Sequence, residues 1–152
     1  MTTSLVIGII SDTHGVLPAK VFELFRDVDR IIHAGDIGDK RILSDLEQIA
    51  PVSAVHGNMD RNELLMELKE RLDFNLCGFK FIVTHFPPGD YDSNRKTIRI
   101  SGHTHQPLIF EQDGSIFINP GSATQPRGSQ QPSVARLVIS EEGVAHADIL
   151  YF

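Results

Sequence analysis

The sequence has very little cysteine: Cys77 is the single one among 152 residues. One cysteine excludes an internal disulfide and fits a reducing compartment. No window holds 18 consecutive apolar residues, which excludes a membrane-spanning helix. The apolar run 5–10 has no basic segment before it and is too short for a signal peptide. The sequence therefore predicts a soluble cytoplasmic protein with no membrane partner.

Positive charge is also in deficit, with 14 lysines and arginines against 20 acidic residues and a net charge of −6. This balance argues against a long nucleic acid as partner, because such binding depends on a basic surface. A small phosphate-bearing substrate is not excluded, since bound divalent cations would reverse the local field. The length and a hydrophobic content of 41% predict a single globular domain over residues 1–152.

The first half of the chain alternates apolar runs with helical patterns. Buried strands are predicted at Ser4–Ile10, Arg30–Ala34 and Pro51–Val55. Helices are predicted at about 18–28, 39–49 and 60–69, with Asp60 as a candidate helix cap or as a residue that positions its neighbours. This order predicts parallel strands joined by right-handed crossovers.

The second half of the chain is rich in short strands. A hairpin is predicted over 73–84, with its turn at Gly78. Further strands are predicted at 97–101, 107–112, 115–118, 134–140 and 144–151. Turns are predicted at Asp113-Gly114 and Glu142-Gly143, and a polar loop without periodicity at 121–133.

Metal-binding side chains follow the ends of several predicted strands. Five short blocks contain them: I-I-S-D-T-H-G, H-A-G-D-I-G-D, V-H-G-N-M-D, I-V-T-H-F and I-S-G-H-T-H-Q. Side chains at the ends of neighbouring strands can converge, and carboxylate, amide and imidazole groups can all bind a metal. The candidate ligands are Asp12, His14, Asp36, Asn58, His85, His103 and His105.

Each block taken alone has a simpler explanation. Asp12 could cap a turn, Asn58 could be a left-handed turn residue, and His85 could be a hydrogen-bonded core histidine. The pair His103 and His105 is more specific, because His-x-His after a glycine seldom has a packing role. Five independent coincidences, in this order after predicted strands, are much less probable than one shared site.

Phosphoester hydrolysis explains why such a site would need two cations. The substrate is anionic and repels an anionic nucleophile. Two divalent cations roughly 3.5–4 Å apart overcome this repulsion, because they clamp the phosphate oxygens and lower the pKa of bound water. Mixed oxygen and nitrogen ligation suits manganese, iron, nickel, cobalt or zinc better than calcium.

Taken in order, the blocks resemble the calcineurin-like metallophosphoesterase superfamily, with its D-x-H, G-D, G-N-x-D, lone H and G-H-x-H motifs. The segment 119–122, followed by Pro126 and Arg127, resembles the small bacterial and archaeal phosphodiesterase branch. The resemblance implies an α/β (α+β) fold: a four-layer α-β-β-α sandwich of two mixed sheets flanked by helices.

The resemblance also implies a role for each candidate residue. Two divalent metal ions would be bound, with manganese foremost and nickel, iron, cobalt or zinc as alternatives. The first metal would be held by Asp12, His14 and His105, and the second by Asn58, His85 and His103, with Asp36 bridging the two. A bridging hydroxide would attack a small phosphodiester in line. Catalytic roles would fall to Asp12, Asp36, Asn58 and His85, and substrate contacts to Asn58 and Arg127.

The chain departs from the family pattern in two places. Met59 replaces the histidine of G-N-H-D, and methionine has no ionisable proton for a leaving group. Only 17 residues separate His85 from His103, and Pro87 and Pro88 oppose an early helix, so 86–96 is predicted to form an irregular loop. The first departure favours diesters, and the second predicts a more open site or one covered by a neighbouring subunit.

The sequence also resembles proteins of a second functional class, the non-catalytic scaffolds. The same fold serves as a non-catalytic scaffold in a eukaryotic sorting complex, and the segments 100–105 and 118–124 resemble that branch as well. All seven candidate ligands are present here, which favours the enzyme. The sequence leaves open the substrate, the native metal and whether the protein forms a homo-oligomer.

Overall fold

The computed structural model describes residues 4–88, 96–112, 114–127, 131–143 and 145–152. The helices within these ranges are α1 (Ala19–Leu24), α2 (Lys40–Glu47) and α3 (Glu63–Glu67). The strands are β1 (Ser4–Ile10), β2 (Arg30–His33), β3 (Val52–Ala54), β4 (Arg71–Leu76), β5 (Phe79–Thr84), β6 (Thr97–Ile100), β7 (Leu108–Gln112), β8 (Ser115–Asn119), β9 (Ser133–Ser140) and β10 (Ala145–Tyr151).

The strands form two five-stranded mixed sheets. The first has the order β10-β9-β1-β2-β3 and the second the order β4-β5-β6-β8-β7. The predicted parallel pairing of β1, β2 and β3 is confirmed, while β9 and β10 add antiparallel strands at the other side. In the second sheet, β5, β6 and β8 are parallel. The carboxyl ends of these parallel strands therefore lie together at one edge of each sheet.

The main hydrophobic core lies between the two sheets. Because successive side chains of a strand point to opposite faces, Ile7 and Ile9 of β1 face the second sheet, where they meet Phe81 and Ile98. The opposite face of β1 packs against the helices through Ile10. Gly8 lies beneath the ring of Phe25, since an added Cβ there would be 2.9 Å from the ring.

The three described helices pack with the outer face of the first sheet. Val21, Ile42, Leu46 and Leu64 form a second buried cluster with β1 and β2. The two mixed sheets with packed helices confirm the predicted α/β sandwich, although all three helices of the described ranges lie on the first sheet and none forms the fourth layer. None of the helices in the described ranges has the length and apolar character needed to cross a bilayer.

The predicted helices were too long. Helix α1 ends at Leu24 rather than near 28, and α3 covers 63–67 rather than 60–69. The helix α3 stops because Leu68 is extended and Lys69 forms a parallel bridge with Val55. A local sequence pattern does not reveal this tertiary pairing.

The strands of the second half agree with prediction to within a few residues. The hairpin turn lies at Cys77 and Gly78, both with positive φ, as a two-residue hairpin loop requires. The turn before β10 is also present, where Gly143 N–H donates to the Ser140 carbonyl. The expectations for 89–95, 113, 128–130 and 144 lie outside the described residues. Residues 86–88 and 96 are not helical.

Candidate metal centre

The candidate ligands lie on loops that follow strand ends. Asp12 follows β1 and Asp36 follows β2, while His85 and His103 follow the parallel strands β5 and β6. The loops are joined directly: Asp12 N–H donates to the Gly35 carbonyl at 3.0 Å, and Gly102 N–H donates to the His85 carbonyl at 2.9 Å. The sheet edges thus bring together residues that are far apart in sequence.

The backbone at these positions is unusual. Seven non-glycine residues in the described ranges have positive φ, and five of them are candidate ligands: Asp12, His14, Asp36, His103 and His105. Non-glycine residues seldom adopt this conformation, which costs of order 1–3 kcal/mol each where the surrounding structure imposes it. Such outliers concentrate at functional sites, so their distribution supports a site at this edge.

The first ligand group contains Asp12, His14 and His105. The Oδ1 atom of Asp12 lies 3.2 Å from Nε2 of His105 and 3.6 Å from Nε2 of His14. The two imidazole Nε2 atoms are 3.2 Å apart. One oxygen and two nitrogens therefore lie close enough together to surround a single cation.

The second ligand group contains Asp12, Asp36 and His85. The Oδ2 atom of Asp36 lies 3.2 Å from Nε2 of His85 and 3.9 Å from Nε2 of His14. Asp36 therefore lies between an imidazole of the first group and an imidazole of the second. Asp12 belongs to both ligand groups, and Asp36 belongs to the second group only.

Hydrogen bonds define the tautomers of two of these histidines. Nδ1 of His85 is 2.8 Å from the Ala34 carbonyl, and Nδ1 of His105 is 2.6 Å from the Gln125 carbonyl. A carbonyl can only accept, so in both rings Nδ1 carries the proton. The lone pair of Nε2 is then directed at the carboxylates, as in metal-binding histidines held by a carbonyl.

Two buried atoms of this centre lack hydrogen-bond partners. They are Oδ1 of Asp12 and Nε2 of His85, and no other buried side-chain nitrogen or oxygen in the described part of the chain shares this property. They are 3.9 Å apart. An unpartnered buried polar atom costs about 1–3 kcal/mol. An oxygen and a nitrogen, each with a free lone pair, fit a divalent cation that would remove this cost.

The close approach of His85 and Asp36 shifts the pKa values of both groups. Burial disfavours the charged form of His85, but the Asp36 carboxylate, 3.2 Å from Nε2, together with the Ala34 carbonyl and the Asp12 carboxylate, raises the pKa of His85 overall. Burial also opposes ionisation of Asp36, yet the His85 side chain and the Met59 N–H lower the pKa of Asp36. The site thus attracts positive charge at the place between the two carboxylates.

The remaining candidates, His103, Asn58 and Arg127, lie outside the two ligand groups. The ring of His103 lies 5.3 Å from that of His85, and the backbone N–H of His103 donates to Asp12 Oδ2 at 3.0 Å. Asn58 is exposed and lines a cavity together with His85. Arg127 is exposed, and within the described ranges no hydrogen bond or ion pair links it to the centre.

The sequence analysis missed several residues that hold the ligands in place. Ser11 donates from Oγ to Asp12 Oδ2 at 2.6 Å, and Ser122 donates from Oγ to the Asp12 carbonyl at 2.8 Å. Asn119 donates to the Gly102 carbonyl at 2.9 Å. Ser11 directly precedes Asp12, and Asn119 and Ser122 lie in the segment 119–122 that resembles the phosphodiesterase branch, but the sequence did not indicate that they contact the ligand loops.

Asp60 joins two ligand loops. Its Oδ1 accepts from Gly38 N–H at 3.0 Å, and its Oδ2 accepts from Gly57 N–H at 2.8 Å. The prediction that Asp60 caps a helix is wrong, because the cap position of α3, directly before its first helical residue, is occupied by Asn62. Its role as a positioning residue follows from these contacts, since they connect the loops of Asp36 and Asn58.

His33 connects the loops of Asp12 and Asp36 through a chain of hydrogen bonds. Gly35 N–H donates to Nδ1 of His33 at 3.1 Å, so the proton of the neutral ring is on Nε2. Nε2 is 3.0 Å from Oγ1 of Thr13, whose hydroxyl donates to the Ile37 carbonyl at 2.8 Å. Burial is the main cause that lowers the pKa of His33 to about 3.

Two glycines allow the ligand loops to approach each other closely. A Cβ on Gly57 would collide with the carboxylate and backbone nitrogen of Asp36. A Cβ on Gly102 would collide with Oγ of Ser11 and would lie 2.7 Å from Oδ2 of Asp12. Both positions therefore need glycine because of contact rather than backbone conformation.

Comparisons with known proteins identify the family of this chain. Residues 5–142 match the calcineurin-like phosphoesterase superfamily domain. The chain is 42% identical to a probable metallophosphoesterase of Methanothermobacter thermautotrophicus, over 91% of this chain and 88% of that protein. It is 32% identical to a phosphodiesterase of Methanocaldococcus jannaschii, over 76% of this chain and 82% of that one.

The fold is also similar to vacuolar protein sorting 29 of Cryptosporidium parvum, with a TM-score of 0.74 and 22% identity over 98% of both chains. At that identity the likeness concerns the fold alone. The family match covers most of the chain, and divalent cations are typical of the family. The chain therefore belongs to the calcineurin-like phosphoesterase superfamily and is a hydrolase that acts on phosphoester bonds.

Proposed function

We propose that this protein is a two-metal phosphodiesterase that hydrolyses small phosphodiesters. One observation carries the proposal: two ligand groups share Asp12, and the buried lone pairs of Asp12 Oδ1 and His85 Nε2 lie 3.9 Å apart without partners. A packing role would leave this arrangement unfavourable. In a binuclear cation site, these carboxylate oxygens and imidazole nitrogens would serve as metal ligands.

Each ligand has a defined part in the proposal. The first cation would be held by Asp12, His14 and His105 and the second by Asn58, His85 and His103, with Asp36 available to both. When bound, the cations would neutralise phosphate oxygens and lower the pKa of a coordinated water. The oxygen and nitrogen donor set favours manganese, with nickel, iron, cobalt or zinc as alternatives.

The residues around the ligands prepare the site for this role. The carbonyls of Ala34 and Gln125 orient His85 and His105, and Ser11 fixes one carboxylate oxygen of Asp12. The ligands therefore need little rearrangement on binding, which is the advantage of preorganised groups around a metal.

The preference for diesters rests on Met59. Its side chain is 55% exposed and its N–H is committed to Asp36 Oδ1 at 2.8 Å. Methionine cannot protonate an alkoxide, and general acid catalysis is worth ~10²–10⁴-fold. Diesters with good leaving groups should therefore react well, and alkyl monoesters poorly.

The central experiment compares Asp36→Asn with Asp27→Asn, a matched change at an exposed carboxylate that pairs with Arg136. Each protein is loaded with manganese, its bound metal is counted, and its rate on bis(p-nitrophenyl) phosphate is measured. We expect Asp36→Asn to lose bound metal and to lose activity by orders of magnitude with an unchanged circular dichroism spectrum. Asp27→Asn should resemble wild type.

Two outcomes would contradict the proposal. A wild-type protein that binds no cation and hydrolyses no phosphoester would favour a non-catalytic interaction module on the same fold. An Asp36→Asn protein that retains full activity would remove the bridging role of this carboxylate.

A second experiment addresses the leaving group. We expect Met59→His to raise the rate on alkyl monoesters relative to the rate on nitrophenyl diesters, with the same metal present. A wild-type preference for alkyl monoesters would contradict the diester proposal.

A further inference from the structure

A cavity of about 270 Å³ adjoins the second ligand group. Its lining includes the candidate ligands Asn58 and His85, together with His56, Arg61, Leu65, Phe86 and the carboxylate of Glu70. A phosphoryl group held by the two ligands would direct one of its ester substituents into this space. The volume is just below the roughly 300–1,000 Å³ of typical small-molecule pockets, so it suits one ring system rather than a long chain.

Phe86 forms an ordered aromatic wall of the cavity. Its ring centroid lies 4.5 Å from that of His103 and 5.4 Å from that of His85. Thr84 donates from Oγ1 to the Phe86 carbonyl at 2.7 Å, which fixes the backbone. The side chain nevertheless remains 48% exposed. A ring held by two imidazoles and open to solvent can stack on a flat ligand with little loss of freedom.

The other walls combine apolar surface with a polar edge. Leu65 is 48% exposed and extends the apolar surface. The guanidinium of Arg61 donates to the carbonyls of Asn58 and Asp60 at 2.9 and 3.0 Å, so it is held beside the cavity. The imidazole of His56 adds a further polar group to the lining. Apolar surface for ring faces and polar groups for ring edges are what recognition of a heteroaromatic ring requires.

We propose that this cavity binds a flat aromatic ester substituent of the substrate, a nucleobase or an aryl group, and that Phe86 stacks on it. This inference rests on the proposed function and specifies its substrate class. An alkyl substituent of equal size would lose the ring–ring contact while burying similar apolar area. The prediction is thus a preference for aromatic over saturated rings that depends on Phe86.

The test measures binding of monoesters to the manganese-loaded protein by calorimetry. Phenyl phosphate and cyclohexyl phosphate carry rings of similar size, so their comparison isolates the aromatic contact. An aromatic pair contributes about 0.5–1.5 kcal/mol beyond burial, which is a preference of about 2- to 12-fold for phenyl phosphate. In Phe86→Leu we expect this preference to disappear while apolar contact is retained. The control is Phe22→Leu, which changes an exposed phenylalanine of α1 and should keep the preference.

A third comparison distinguishes the two sources of the aromatic ring. If wild type binds adenosine 5′-monophosphate better than ribose 5-phosphate, and Phe86→Leu removes this difference, the occupant is a nucleobase. A preference seen only with phenyl phosphate would identify a compact aryl group. Equal binding of phenyl and cyclohexyl phosphate by wild type, or a preference that survives in Phe86→Leu, would overturn the subsite.

Failure of the subsite and failure of the proposed function are distinguishable. A wild type that hydrolyses bis(p-nitrophenyl) phosphate without any aromatic preference would overturn the subsite alone. A wild type that binds no phosphate ester and hydrolyses none would overturn both.

Discussion

The imidazole of His33 makes the stability of this fold depend on pH. The ring is fully buried, and Nδ1 already accepts a hydrogen bond from Gly35 N–H. A second proton would break this bond and place a charge in the interior. Burial, with a smaller effect from the nearby imidazoles of His85 and His14, therefore lowers the pKa of His33 to about 3, against the opposing charge of Asp36.

The direction of the effect follows from linkage. The pKa in the folded state is depressed below the unfolded value of 6.5. Below pH 6.5 the unfolded chain binds a proton that the folded protein excludes, so stability falls as the pH falls towards the folded pKa of about 3. At about pH 4.5, roughly two units below the unfolded value, the loss from this one residue is about 3 kcal/mol.

Urea unfolding of the metal-free protein at about pH 7.5 and about pH 4.5 measures this loss. The change is His33→Asn, which removes the titrating ring and lowers stability at both pH values through lost hydrogen bonds. On acidification we expect the free energy of unfolding of the variant to fall less than that of wild type, by a difference of about 3 kcal/mol. The two proteins differ only at residue 33, so the comparison isolates the contribution of this ring.

The control is His146→Asn on β10, because the His146 side chain is 74% exposed. Its free energy of unfolding should fall on acidification by the same amount as that of wild type. If His33→Asn loses as much stability on acidification as wild type does, the buried neutral ring is not the cause of acid sensitivity. The argument from burial would then be wrong.

Three further changes test the support of the metal centre and the surface. Gly57→Ala should weaken manganese binding about 10–100-fold in calorimetry, because its Cβ displaces Asp36; unchanged affinity would contradict this. Asp60→Asn leaves one acceptor oxygen for two backbone N–H groups, so urea unfolding should show a loss of about 1–3 kcal/mol. Arg136→Gln breaks the exposed pair with Asp27 and should change stability by less than about 1 kcal/mol; a larger loss would show that the pair matters more than its exposure suggests.

The sequence was informative about the ligands because strand ends converge. Asp12, Asp36 and His85 each follow an apolar run, and a parallel order places the ends of such runs at one edge. The structure brings these three side chains together with His14 and His105. Residue type and position after an apolar run are local properties of the sequence, so these ligands could be predicted from it.

The supporting contacts were beyond such an argument. Ser122 reaches the Asp12 carbonyl across 110 positions of sequence, and Asp60 joins loops that are 19 residues apart at Gly38 and Gly57. Serine and aspartate are common in loops, so their residue types alone do not identify such partners. Helix α3 was overestimated for the same reason, since the pairing of Lys69 depends on a distant strand.

The geometry of Asp12 connects the strained backbone with the chemistry of the site. Its φ of 54° carries a conformational cost, and hydrogen bonds from Ser11 and the His103 N–H hold its Oδ2 in place. These contacts leave Oδ1 without a partner although it is buried. The fold therefore tolerates both strain and an unsatisfied oxygen at one residue. A cation would remove the second cost without moving the carboxylate, so binding energy would not be lost to rearrangement of this ligand.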